Sequence, residues 1–240
     1  MIARLRRPLL LALAPLALAG TLLHGCSPAT NGPSTNATPD PLINATLGET
    51  KTLAFTMKKW EGPDGDLESK KTAVNGTFPS FTVAMSKKAS AIKAPADLSD
   101  LKAKVEVPLE EANVITGSNA DAMLRNARIA EFYFEATKFA KAGFTLTNFQ
   151  TTSSKTSFAP GDTLDVTADA ELDLHGVKKT IPGLKLAVTL TEGACRIKSA
   201  EDLSIKSDAF QLPWQALLHE CGHKGLDEAA TVSFDVTLTN

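Results

Sequence analysis

Residues 163–190 read TLDVTADAELDLHGVKKTIPGLKLAVTL and carry the longest run of period-two alternation in the chain. Leu164, Val166, Ala168, Ala170, Leu172 and Leu174 fall on one face, and Asp165, Thr167, Asp169, Glu171 and Asp173 on the other. Successive side chains of a strand point to opposite sides, so this pattern specifies a strand with one dry face. Gly176, Pro182 and Gly183 punctuate residues 175–183, after which Leu184, Leu186, Val188 and Leu190 resume the alternation against Lys185, Thr189 and Thr191. The reading is a long antiparallel pair joined by a nine-residue connection at 175–183. Its first member exceeds the usual strand length of about five or six residues. So long an apolar face needs an equally long apolar partner, and a barrel or a sandwich supplies one.

The flanking sequence repeats the signal in shorter form. Residues 52–58 (TLAFTMK) alternate Leu53, Phe55 and Met57 inward; 80–85, 101–107 and 144–149 follow, with Pro108 stopping the third. Residues 118–134 change period: Ser118 with Asp121 has the form of a capping box, and Met123, Ala127, Ala130 and Phe134 recur at helical spacing. Shorter strands are expected at 195–198 and 203–210. A short second helix is expected at 212–221, with Pro213 in its first turn and Leu217, Leu218 and Cys221 facing inward. The chain closes on TVSFDVTLT at 231–239, a strand suited to pair with an early one. Eight or nine strands with one inserted amphipathic helix define a mainly β fold, an antiparallel barrel or sandwich.

The first residues belong to export rather than to the fold. Arg4, Arg6 and Arg7 precede the uncharged, Leu/Ala-rich run 8–23, which is short for a bilayer span of about 20 residues. The run ends in Leu23-His24-Gly25-Cys26, which resembles a bacterial lipobox with His24 as its one departure; an ordinary cleaved signal is the alternative. The division expected is a signal peptide at 1–25, a lipidated Cys26 with a flexible linker at 26–50, and one folded domain at 51–240. The linker is rich in Ser, Thr, Asn, Pro and Gly and buries too little apolar surface to order itself. Acyl chains on Cys26 would tether the protein to a membrane. Ser27 in the next position resembles lipoproteins sorted to an outer membrane, so the expected location is its periplasmic face or the cell surface.

The signal carries three of the 25 Lys and Arg and no acid, so the mature chain holds 22 basic against 27 acidic residues, a balance of −5. Lysine pairs such as Lys58-Lys59 and Lys178-Lys179 are scattered among acids, which leaves no basic face for nucleic acid. With Cys26 assigned to lipid, Cys195 and Cys221 remain as an even pair in an exported chain, and a disulfide between them is expected, two separate thiols being the alternative. His219-Glu220-Cys221-Gly222-His223 matches H-E-x-x-H, in which two histidines one helical turn apart bind zinc and the glutamate activates water. A protease would need a further ligand downstream, and the residues that follow read mostly as a strand. A non-catalytic metal site on His219 and His223, joined by Cys221 or His175, stays open; no catalytic residue and no cofactor is expected.

Four stretches together resemble a known family. They are Thr52-Leu53-Ala54-Phe55; Gly76-Thr77-Phe78; Arg125 to Ile129 with Phe132, Tyr133, Phe134 and Phe144; and Leu172-Asp173-Leu174-His175-Gly176-Val177-Lys178-Lys179. The terminal TVSFDVTL adds a fifth. Together they are similar to the YceI-like polyisoprenoid-binding proteins, across residues 51–240. Asn126 and Arg128 depart from that pattern, as does the stretch 206–210. The resemblance implies an eight-stranded lipocalin-like barrel around an apolar tunnel that holds a long isoprenoid or other amphipathic lipid. The lining residues it implies are Phe132, Phe134, Phe144, Leu164, Val166, Leu172, Leu186, Val188, Phe234 and Val236, with the alternative that they fill the barrel as core. The small Ala168 and Ala170 favour a cavity. The implied partners are that lipid and, through the anchor, a membrane, with a homodimer left open. A surface lipoprotein with no ligand is the competing view.

Overall fold

A computed structural model of the chain describes residues 41–62, 68–114 and 120–239. The signal segment, Cys26, most of the linker and Ser118 lie outside the described residues. The strands are β1 (Ile43–Asn44), β2 (Thr46–Trp60), β3 (Thr72–Thr77), β4 (Thr82–Met85), β5 (Ala103–Pro108), β6 (Lys141–Thr151), β7 (Thr163–Leu174), β8 (Val177–Thr191), β9 (Ala194–Ser199), β10 (Leu203–Lys206), β11 (Gly225–Leu226) and β12 (Ala229–Thr239). Every pairing between them is antiparallel.

The hairpin β7–β8 is tighter than its punctuation indicates. Only His175 and Gly176 separate the strands, with φ of 55° and 74°. Two successive positive φ values are what a two-residue primed turn requires, because that twist matches the flanking strands. Residues 177–181 therefore pair with 170–174 instead of looping out. Pro182-Gly183 marks a register shift within β8, opposite Ala168 and Ala170, and Gly183 has a φ of 65°. A matching irregularity interrupts β6 between Thr147 and Gln150, where Asn148 has a φ of 53°. Asp169, on the strand between them, serves both. Its carboxylate accepts from Asn148 Nδ2 at 2.7 Å and from the Gly183 backbone N–H at 3.1 Å. These donors, Asn148 first, hold its carboxyl below the ordinary range. Bulges sharpen local twist, so this carboxylate pins the place where the sheet begins to curl.

The strand path runs β1-β4-β5-β6-β7-β8-β9-β12-β2-β11, with β10 also on β12 and β3 also on β2. β9 and β10 follow one another along the same edge of β12, and β11 and β12 along the same edge of β2, so the sheet is about nine strands wide. Its two margins meet at one end only. Ile43 and Asn44 pair with Met85 and Ala84, Ala45 N–H donates to Val83 O at 2.9 Å, and Thr46 opposes Thr239. Beyond that stitch the ladder does not close into a ring among the described residues.

Among the described residues three α-helices complete the fold: α1 (Pro95–Ser99), α2 (Ala120–Arg128) and α3 (Trp214–Cys221). α2 runs on into a single π-helical turn, Ile129–Tyr133. The sequence stripe through Met123 and Ala127 is not the buried one. Met123 is 67% exposed, while Ala122, Ile129, Ala130 and Tyr133 are buried. Asn126 shares their face because its side chain is satisfied there, accepting from Val114 N–H at 2.9 Å and donating to Asn113 Oδ1 at 3.1 Å. The extra residue of the π turn then rephases the helix so that Phe134 is buried as well.

The expected disulfide is absent: Cys195 and Cys221 are both free thiols. Cys195 pairs with Leu238, whose other neighbour is Leu47, whereas Cys221 ends α3 just before Gly225, which pairs with Trp60. Most of the length of β2 therefore separates them. At about 3.3 Å per residue that is several times the roughly 7 Å limit between bridged Cα atoms. Cys195 is instead a core residue with no exposed surface, and burial pushes its thiol up to about 11.

Candidate ligand-binding lumen

The inner face of the curled sheet divides into a filled part and an unfilled part. β2 contributes Leu53, Phe55 and Met57; β5 contributes Ala103, Val105 and Val107; β6 contributes Ala142, Phe144 and Leu146. Leu172 and Leu174 come from β7, Leu203 and Ile205 from β10, and Val232, Phe234 and Val236 from β12. These residues surround a cavity of about 160 Å³. Leu53, Val105, Phe144, Leu172, Val232 and Phe234 point inward yet are only half-buried. An inward residue that keeps exposed area faces space that no side chain fills, so this belt marks the lumen directly.

Cross-strand register explains the clustering. Phe144 lies between Val105 and Leu172, and Leu53 lies opposite Phe234. The two groups meet across the lumen where Phe144 and Phe234 approach edge to face, centroids 6.3 Å apart. A dry apolar void of about 150 Å³ accepts a benzene-sized guest. Among the described lining residues, Tyr133 brings a polar side chain to the lumen. The Tyr133 hydroxyl is 2.8 Å from Ser207 Oγ, and both residues are buried. Burial, partly offset by that hydrogen bond, pushes the phenol up to about 12.

Glycine positions keep the wall smooth. A Cβ on Gly76 would collide with the Phe55 ring, which covers the glycine opposite it in register. Gly225 and Trp60 repeat the device. Aromatic cover of a strand glycine fixes the ring while restoring the packing that the missing side chain forfeits.

Of the residues implied as lining, Phe134, Phe144, Leu172, Phe234 and Val236 surround the cavity. Leu164, Val166, Leu186 and Val188 face inward too, but they are buried to 3% exposure or less and lie in the filled part. There α1 is laid against β6 and the turn Ala89–Ala91 against β9. Phe132 is half-buried and stands outside the wall. The sequence reading missed Val83, Val105, Tyr133, Leu203 and Ile205, several of them on strands of four to six residues whose alternation is brief.

The histidine motif does not assemble a metal site. α3 ends at Gly222, which has a φ of 69°, so His219 stands exposed on the helix while His223 lies beyond it. His223 Nε2 is 3.2 Å from Lys59 Nζ and its Nδ1 is 2.9 Å from Glu61. His175 is engaged elsewhere, 2.6 Å from Glu135 and against the Phe139 ring. The one-turn register that would put two imidazoles on one metal is broken by that glycine. Among the described residues no group of three or more His, Cys, Asp or Glu is placed to hold a metal.

Solved structures share this architecture. A polyisoprenoid-binding domain from Saccharophagus degradans, implicated in plant cell wall breakdown, matches with a TM-score of 0.63 at 19% identity, over 83% of this chain and 99% of that one. BcnA of Burkholderia cenocepacia matches with a TM-score of 0.50 at 15% identity, over 79% of this chain and 96% of that one. No curated protein matches the sequence. The YceI-like domain model matches residues 49–239, the greater part of the chain and the curled sheet from within β2 to the end of β12, and the chain therefore belongs to the YceI-like domain family.

Proposed function

We propose that this protein binds a long-chain isoprenoid or comparable amphipathic lipid in the lumen, as a binding protein rather than an enzyme. The observation that carries the reading is the half-exposed apolar belt of Leu53, Val105, Phe144, Leu172, Val232 and Phe234 around an unfilled interior. Such a wall offers area burial, about 25 cal/mol per Å², without directional contacts, which suits a chain of repeated methyl-branched units. The Saccharophagus relative is described as polyisoprenoid-binding, and the same ligand class fits this interior. Acyl chains on Cys26 hold the protein at a membrane on this reading, which is supported by the lipobox-like Leu23-His24-Gly25-Cys26. The location proposed is the periplasmic face of an outer membrane or the cell surface.

Mass spectrometry of a chloroform extract of the natively purified protein tests the ligand, with a stoichiometric prenyl lipid expected. A lipid-free extract, together with stripped protein that takes up no fluorescent polyprenol, overturns it. Cys26→Ser tests the anchor: loss of metabolic palmitate labelling and release from the membrane fraction are expected, and unlabelled native protein refutes the tether.

A further inference from the structure

The lumen is short. β2 lines it from Leu53 to Met57, β5 from Ala103 to Val107 and β6 from Ala142 to Leu146, each a span of about 13 Å at 3.3 Å per residue. β12 lines it farther, from Ala230 to Leu238, but the Phe234 ring at the middle of that span meets Phe144 across the lumen at 6.3 Å.

The inner end is closed by the residues next along the same strand faces. Beyond Val83 on β4 stands Met85, beyond Leu146 on β6 stands Phe149, and beyond Leu172 on β7 stands Ala170. The first of each pair lines the lumen and the second does not. Met85, Phe149 and Ala170 are all 2% exposed or less. Register puts them at one end, because Met85 pairs with Ala103, Ala103 with Leu146, and Leu146 with Ala170. Ala168 and Ala170 are small enough to leave room for a deeper lumen, yet both are fully covered, so neighbouring side chains occupy that space.

We infer that the lumen sets a length limit on its ligand, taking about two isoprene units from the apolar end of a chain and leaving the remainder outside. Met85 and Phe149, the large side chains of its floor, set the limit. The inference rests on the lumen reading and narrows it, from a chain held along its length to one held by its end. An isoprene unit adds four chain bonds, about 5 Å when extended, so the depth admits fewer than three. The volume of about 160 Å³ is close to the ~150 Å³ that holds a six-carbon ring, which is a little more than one unit. Depth and volume thus bracket two.

Displacement of a fluorescent naphthylamine from the lipid-stripped protein by prenol, geraniol, farnesol and geranylgeraniol, alcohols of one to four units, reads the limit. From prenol to geraniol the affinity is expected to rise about a hundredfold, in keeping with five more buried carbons. From geraniol to geranylgeraniol it is expected to stay within about threefold, since the added units bury little more area. A further gain of about tenfold or more from geraniol to farnesol overturns the inference and leaves the lumen reading intact. Phe149→Ala, which opens the floor, is expected to move the plateau from geraniol to farnesol. Val105→Phe adds bulk to the half-exposed belt and opens no cavity, so it keeps the test alive if the first variant does not fold. It is expected to bring geraniol down to the affinity of prenol. A plateau unmoved by Val105→Phe, in protein with a native denaturant midpoint, also overturns the inference. If none of the four alcohols displaces the probe, the lumen reading falls and the length limit with it.

Discussion

The half of the sheet around Leu164, Val166, Leu186 and Val188 and the half around Leu53, Val105, Phe144 and Phe234 use the same strand pattern to opposite ends. In the first, those four inward side chains are 3% exposed or less, with α1 and the Ala89–Ala91 turn laid against the neighbouring strands. In the second, inward side chains remain half-exposed around a void. Alternation alone decides which way a side chain points. Whether the space it points into is filled is decided by what the connections between strands lay across it. One half thus supplies stability, and the other is free to hold a guest.

The sharpest break between the halves is expected from truncation. Leu186→Ala, at 1% exposure, is expected to cost about 2–5 kcal/mol, because a cavity opens where none existed. Phe234→Ala removes a larger side chain yet is expected to cost less, since its ring already borders empty space. Denaturant midpoints check both, and equal losses would mean that the two halves are packed alike. Next in size is the alkaline limb. Tyr133 is the chain's one tyrosine, and its phenol stays neutral in the fold up to about 12 against an ordinary 10.0. The unfolded chain ionises first, so stability is intact below pH 10 and falls by about 3 kcal/mol as the pH climbs to about 12. Phenolate absorbance reports this one residue. A folded-state midpoint near 10 would mean that water reaches the hydroxyl through the lumen.

Gly76→Ala tests the lumen wall at a point where it is packed as tightly as the core. The new methyl meets the Phe55 ring, and overpacking of this kind costs about 1–3 kcal/mol. Displacing that ring also moves the lumen wall, so weaker polyprenol uptake is expected alongside the lower midpoint. A thermal melt with bound and free protein separates the two effects.

The extent of β7 was legible from alternation alone, since every second residue from Leu164 to Leu174 is apolar, and the closing strand was legible as the neighbour of an early one, which the structure gives as β2. The turn was not. His175-Gly176 is less plain a signal than Pro182-Gly183, and a bulge and a loop place the same residue types in sequence. The inward face of α2 was misread because Asn126 is polar, and only the backbone and side chain of residues 113–114 make its burial tolerable. Cys195 and Cys221 formed a sound pair by compartment and number, but their separation along β2 is a property of register. The lumen was half legible: Leu172 and Val166 sit in one unbroken pattern, and nothing local distinguishes the one that meets a void from the one that does not.

β9 meets β12 beside the lumen, where Ile197 and Val236 both line it, and the smallest expected effect tests that seam. On its outer face Arg196 clasps Asp235 through two contacts, Nε at 2.7 Å and Nη2 at 2.5 Å, diagonally across the strands. The Arg196 guanidinium holds the Asp235 carboxyl below its ordinary value of 3.8. Because the folded state favours the ionised form, the stability this pair adds is present above pH 3.8 and is lost as pH falls through the lowered value. The arginine is half exposed, so water and salt screen the pair, and Asp235→Asn is expected to cost at most about 1 kcal/mol at neutral pH. Native and substituted proteins should then converge on acidification, once Asp235 is protonated in both states. A difference that persists below that point would show that the seam is held by strand packing and not by charge, and the β9–β12 ladder would then belong with the filled half.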